Sequence, residues 1–173
     1  MTIRMNGITS AVIRTNLADL HSGAMSAGVY FCLQAEAHPS ALPHARRCAR
    51  HTLAAWRLGH LADDIELVVS ELLTNAIRAS LTATSASVMQ TAPVVALYIA
   101  LDPDLLSVLV WDCCPEPPVQ VAHAGDDDET GRGLVIVQAL TDQWGICAPS
   151  GGGKVVWAQL SLTGRDQRTK PRS

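Results

Sequence analysis

The stretch Asp63-Asp64-Ile65-Glu66-Leu67-Val68-Val69-Ser70-Glu71-Leu72-Leu73-Thr74-Asn75-Ala76-Ile77-Arg78-Ala79-Ser80 decides how this chain is read. Ile65, Val68, Val69, Leu72, Leu73, Ala76 and Ile77 recur at helical spacing, which predicts a helix with one apolar stripe. Asp63 with Glu66 three residues on has the form of a relaxed capping box, and acid in a first turn suits the helix dipole. Glu71 and Asn75 stand four residues apart, so they share a face at the edge of the stripe. A carboxylate and a carboxamide placed there, beside small Ala79, suit a metal and an activated water. Glu and Asn are also common at solvated helix edges, and spacing alone favours that plainer reading.

Upstream, residues 29–35 form a short β-favourable run bounded by Gly28 and His38-Pro39, read as the first strand. Ser40 is expected to cap a helix running to about Leu58, with Pro43 tolerated in its first turn and Gly59 ending it. Ala45, Cys48, Ala49, Thr52, Leu53 and Trp56 would face inward, and Arg46, Arg47 and Arg50 outward. Cys48, His51 and His60 lack a fourth ligand and closed finger spacing, so a plain helix surface is favoured over zinc.

Downstream, residues 82–93 are a polar, small-residue connection. Residues 94–101 and 105–111 are two apolar runs joined by Asp102-Pro103-Asp104, a turn composition, and predict an antiparallel hairpin. Their unbroken apolar character predicts burial on both sheet faces. The second run delivers Asp112, followed by Cys113-Cys114-Pro115; alone, Asp112 reads as a strand-end turn residue. The acids of Asp126-Asp127-Asp128-Glu129 read as a solvated loop edge. Gly131-Arg132-Gly133-Leu134 is expected to open a helix through about Thr141. Glycines entering a helix N-terminus leave bare N–H groups for an anion, and Arg132 adds a charge-assisted donor. It is not a dinucleotide fingerprint, because Ile136 takes the third glycine's place. Residues 144–147 and 154–162 are closing strands around a Ser150-Gly151-Gly152-Gly153 turn. Gly153-Lys154 lacks the following Ser or Thr and enters a strand, which excludes a P-loop.

The 173 residues fit one domain with a proper core, 48% apolar and 17% charged. A formal net charge of −3 gives no basic footprint, so no direct nucleic-acid partner is expected. Cys32, Cys48, Cys113, Cys114 and Cys147 form no C-x-x-C pair, which predicts a reducing, cytoplasmic setting rather than a disulfide framework. The longest apolar run, residues 94–101, is far short of the roughly 18 needed to span a membrane. Residues 1–27 are expected to be a loose tail, 28–163 the globular domain and 164–173 a polar, basic, disordered tail.

Glu71-Leu72-Leu73-Thr74-Asn75-Ala76 resembles the N box of the GHKL (Bergerat-fold) ATPases, the superfamily of histidine-kinase catalytic domains, gyrase B and MutL. Asp112 resembles the Asp of the strand-ending D-x-G box, with Cys114 in place of the glycine. Gly131-Arg132-Gly133 resembles the glycine box that covers the ATP phosphates. The G-R-G-L, W-G and G-K-x-x-W series is similar to the small anti-sigma-factor serine-kinase branch. The resemblance spans about residues 29–162. It implies an α/β two-layer sandwich, a mixed, mostly antiparallel sheet with helices on one face. It implies ATP and Mg2+ as cofactors: Asn75 ligating the metal, Glu71 as general base, Asp112 accepting from the adenine amine, and Gly131, Arg132, Gly133 and Leu134 at the phosphates. It implies a serine/threonine kinase that holds a sigma factor and phosphorylates a serine on an antagonist protein, with a homodimer left open. The alternative is a non-catalytic interaction module, because a cysteine at the D-x-G glycine crowds the approach to the purine. A free-standing ATPase or histidine-kinase piece is a third reading; no phospho-accepting histidine helix is evident.

Overall fold

The computed structural model describes residues 29–85, 92–116 and 129–163. In chain order these are strand β1 (Val29–Glu36), helix α1 (Ala41–Ala55), a 3-10 turn (Gly59–Leu61), helix α2 (Ala62–Ser85), strands β2 (Val94–Asp102) and β3 (Leu105–Asp112), helix α3 (Glu129–Leu140), and strands β4 (Gln143–Cys147) and β5 (Lys154–Ser161). The five strands form one sheet in the order β1-β2-β3-β5-β4. Every pairing is antiparallel. The sandwich is therefore the expected one, with no parallel component among the described strands.

One face of the sheet carries the main core. Leu97 and Ile99 of β2, Leu106, Val108 and Val110 of β3, and Val156, Ala158 and Leu160 of β5 alternate onto it. Ala45, Ala49 and Leu53 of α1, Ile65, Val68, Val69, Leu72 and Leu73 of α2, and Leu134 and Val137 of α3 close it from the helix side. Burying each large aliphatic here contributes on the order of 2 kcal/mol. The opposite face holds a smaller cluster of Ala96, Tyr98, Leu109 and Val155, with Trp111 and Trp157 packed against it. Residues 95–99 and 106–110 are buried throughout, as their unbroken apolar runs predict. The β2–β3 connection is the expected tight turn, with Asp102 opposite Leu105.

Three local expectations are corrected. Helix α1 ends at Ala55 with Trp56 as its C-cap, short of the expected Leu58, and Arg57 rather than Gly59 makes the terminating turn. Arg57 takes a φ of 62°, while Leu58 N–H donates to the Leu53 carbonyl (2.8 Å) and Arg57 N–H to that of Ala54 (3.1 Å). That is a Schellman termination with a non-glycine in the left-handed position. Ser40 makes no side-chain cap; its hydroxyl pairs with His38 Nδ1 at 2.8 Å. Asp63 and Glu66 do not act as a capping pair. Both bind Arg50 of α1, Asp63 at 2.7 Å, and so clip α1 to α2 across the surface. The tail expectations for residues 1–27 and 164–173 lie outside the described residues.

Candidate functional site

The apolar stripe of α2 is fixed by the sheet, and this turns Glu71 and Asn75 to its half-buried edge. Helix α3 packs against α2 there. Gly133 is buried at the crossing. A Cβ on Gly133 would lie 2.6 Å from Glu71 Oε2 and 3.6 Å from Asn75 Nδ2. The missing side chain is what lets α3 come down onto the two polar groups. Glu71, Asn75 and Gly133 are thus one constellation, assembled from segments almost sixty residues apart.

Helix α3 begins at Glu129, so the glycines lie inside its first turns rather than before it. The first N–H groups of a helix have no internal acceptor, whereas those further on do. Gly131 keeps a place among the bare donors, and Gly133 N–H is taken up in the helix. The missing Cβ of Gly133 permits the close approach of α3 to Glu71. Arg132 is exposed on the helix, and Leu134 is turned into the main core.

Asp112 ends β3, the strand on which α2 packs. It is fully buried. Its Oδ1 accepts from Lys154 Nζ at 2.8 Å and from Cys114 N–H at 2.9 Å. Lys154, 3% exposed, also donates to the Cys114 carbonyl at 3.1 Å. The antiparallel register sets Lys154 directly opposite Asp112. Oδ2 of Asp112 is buried and has no hydrogen-bond partner. A buried carboxylate oxygen left so costs free energy unless a donor arrives. Burial pushes the Asp112 carboxyl above its ordinary range, against the opposing hydrogen bond and charge of Lys154 and the Cys114 N–H.

The Cys114 thiol is directed at Glu116 Oε2, 2.7 Å away. Burial pushes this thiol up, and the neighbouring carboxylate adds to the effect; the thiol's hydrogen bond holds Glu116 below the usual carboxylate range. The glycine turn closes the same corner. Gly153 has a φ of +74°, and a Cβ on it would collide with the Asp112 carbonyl oxygen. Trp111 Nε1 donates to the Gly152 carbonyl at 3.1 Å.

The pattern that defines the family described as Histidine kinase-like ATPase domain matches residues 35–160. The chain belongs to that family. The match covers α2, Asp112 and α3 in one span, which places the protein within the GHKL superfamily. A similar solved structure is the histidine kinase domain from the Erythrobacter litoralis EL346 blue-light activated histidine kinase. It is 19% identical, with 87% of this chain and 70% of that one covered and a TM-score of 0.45. No curated protein matches the chain.

ATPase domains of this superfamily bind ATP, usually with Mg2+, and the residues present fit both. The orphaned Asp112 Oδ2 is an acceptor in need of a donor, which an exocyclic purine amine provides. Among the described residues no three His, Cys, Asp or Glu side chains group to hold a metal. Mg2+ takes one or two protein oxygens and fills its shell with water and phosphate, and the half-buried Asn75 carboxamide offers one such oxygen. Also among the described residues, no helix is long and apolar enough to cross a membrane.

Lys154 is the residue that sequence reasoning missed. Its only local signal is the Gly153-Lys154 pair, considered above and set aside as a P-loop. A charged residue opening an apolar strand after a glycine turn, opposite a strand-ending Asp, is the signal that finds it once β3 and β5 are paired.

Proposed function

We propose that the protein is an ATP-dependent regulatory kinase of the anti-sigma type, which holds a sigma factor and phosphorylates a serine on an antagonist protein. The observation that carries this reading is the meeting of Glu71 and Asn75 under Gly133, on the helix that packs against the strand of Asp112. Asp112 Oδ2 accepts from the adenine amine. Asn75 supplies an oxygen to Mg2+, whose charge, when bound, offsets that of the phosphate oxygens. Arg132 and the bare N–H groups at the start of α3 hold phosphate. Glu71 takes the proton of the incoming serine hydroxyl as its oxygen bonds to the terminal phosphorus and ADP leaves. The free state of all five cysteines fits a cytoplasmic setting.

A second reading, a non-catalytic interaction module, draws on Cys114, whose buried side chain takes the D-x-G glycine's place. One pair of variants separates the two. Glu71→Ala is expected to leave ATP binding nearly intact and to cut phosphoryl transfer to a partner serine by about 100- to 10,000-fold. Asn75→Ala is expected to lose Mg2+-dependent binding and transfer together. The antagonist for the assay comes from affinity capture on the full chain. Wild-type protein that binds ATP and a sigma factor, yet phosphorylates no co-purifying partner, would exclude the kinase, and wild-type protein that binds no ATP would favour the module.

A further inference from the structure

Lys154 has no part in the kinase reading above, yet it is the only cation at the Asp112 corner with a described bond to the carboxyl. We propose that Lys154 determines which purine the site takes, by holding Asp112 as a carboxylate whose free Oδ2 demands a 6-amino donor. The proposal rests on the nucleotide reading of the site and deepens it.

A carboxylate accepts only, whereas a carboxylic acid also donates. A site with an ionised Asp112 favours a purine that carries the amine, because only such a base gives the buried, unpaired Oδ2 a donor. A site with a protonated Asp112 loses that discrimination, since the acid proton can donate to a ring nitrogen of either base. Which form is present depends on what surrounds the carboxyl. From β5 comes Lys154, and from the segment after β3 come the Cys114 N–H and, beyond it, Glu116, whose partner is the Cys114 thiol. From β2 the residue opposite is Val95, apolar and buried. The packed helix α2 carries Glu71 and Arg78 as the charged residues of its middle turns. Burial drives Asp112 toward its neutral form, and the hydrogen bond and charge of Lys154 head the effects opposing it. Lys154 is itself fixed, by the cross-strand register and by the Cys114 carbonyl. Take away the ammonium and burial prevails. Lys154 therefore acts through Asp112, as a positioning residue for charge rather than a direct reader.

The test is calorimetric titration of the full chain with Mg2+ and either ATP or purine riboside triphosphate, which has hydrogen at position 6, over a pH series. Wild type is expected to prefer ATP by about 10- to 100-fold. Lys154→Met is expected to shrink that preference to within about threefold at neutral pH, with the preference returning as the pH rises and Asp112 ionises. Lys154→Arg, which keeps the charge, is expected to retain it. A Lys154→Met protein that keeps the full preference at every pH overturns the proposal. So does a wild type that binds ATP and the analogue equally, while leaving the nucleotide site standing. Binding of neither by wild type defeats the nucleotide reading itself and the proposal with it. Should Lys154→Met fail to fold, the infrared carboxyl signature of Asp112 in wild type, assigned by loss in Asp112→Asn, decides. A carboxylate at neutral pH supports the proposal, and a protonated acid refutes it.

Discussion

The two ends of the site are built on opposite plans. At the Asp112 end the carboxyl, the Lys154 ammonium and Cys114 are buried, held by a cross-strand ion pair and a backbone N–H, with a glycine turn pressed against the strand end. At the Glu71 end the polar groups are half-buried, the side chains are long or rotatable, and the geometry comes from two helices meeting where one lacks a Cβ. The first end is specified by the sheet and inseparable from stability. The second is specified by side-chain placement and is separable from it. Reading a base needs a fixed acceptor in a dry pocket, whereas proton transfer needs a carboxylate that can reach and release.

If that contrast is right, substitutions at the two ends should differ in kind. The largest loss of stability is expected from Asp112→Ala. It strands the Lys154 ammonium in a buried position, and breaking a buried pair from one side costs about 3–5 kcal/mol. Denaturant titration checks this; a loss below that of an ordinary surface substitution would mean that water reaches the corner. Gly153→Ala comes next. It forces a left-handed φ on an L-residue and drives a methyl into the Asp112 carbonyl, a backbone atom that cannot swing aside. A destabilisation on the order of 3 kcal/mol is expected by thermal or chemical unfolding. Gly133→Ala should change stability least. Its methyl meets the far end of the Glu71 side chain, which can rotate away, and alanine is the better helix former by about 1 kcal/mol. Its effect belongs to the proposed function: with Glu71 displaced, the kinase reading predicts that phosphoryl transfer falls while the melting temperature holds or rises. A Gly133→Ala protein that unfolds as readily as Gly153→Ala would erase the distinction between the two ends.

The fold was open to reading because its signals are local. The apolar stripe of α2 and the unbroken runs of β2 and β3 each declare themselves within a dozen residues, and the structure follows them closely. What was hidden depends on partners distant in sequence. The Asp112–Lys154 pair spans 42 residues and exists only through the β3–β5 register. The acids Asp63 and Glu66 look like a cap, and Arg50 of the preceding helix claims both. Gly133 reads as a phosphate donor because glycines before a helix usually leave bare N–H groups. Its neighbour across the helix crossing, Glu71, gives it a different reason to lack a side chain. Arg57 in a left-handed turn carries no sequence mark at all, since glycine is the residue that normally announces one.

The central claim is that an unpartnered buried acceptor and an α2–α3 polar constellation together make a working Mg-ATP site. Calorimetric titration of the chain with ATP, with and without Mg2+, tests it most directly. The account predicts saturable binding of one ATP per chain that weakens markedly when Mg2+ is removed. No heat of binding at millimolar ATP with Mg2+ present, from protein that unfolds cooperatively, would contradict it.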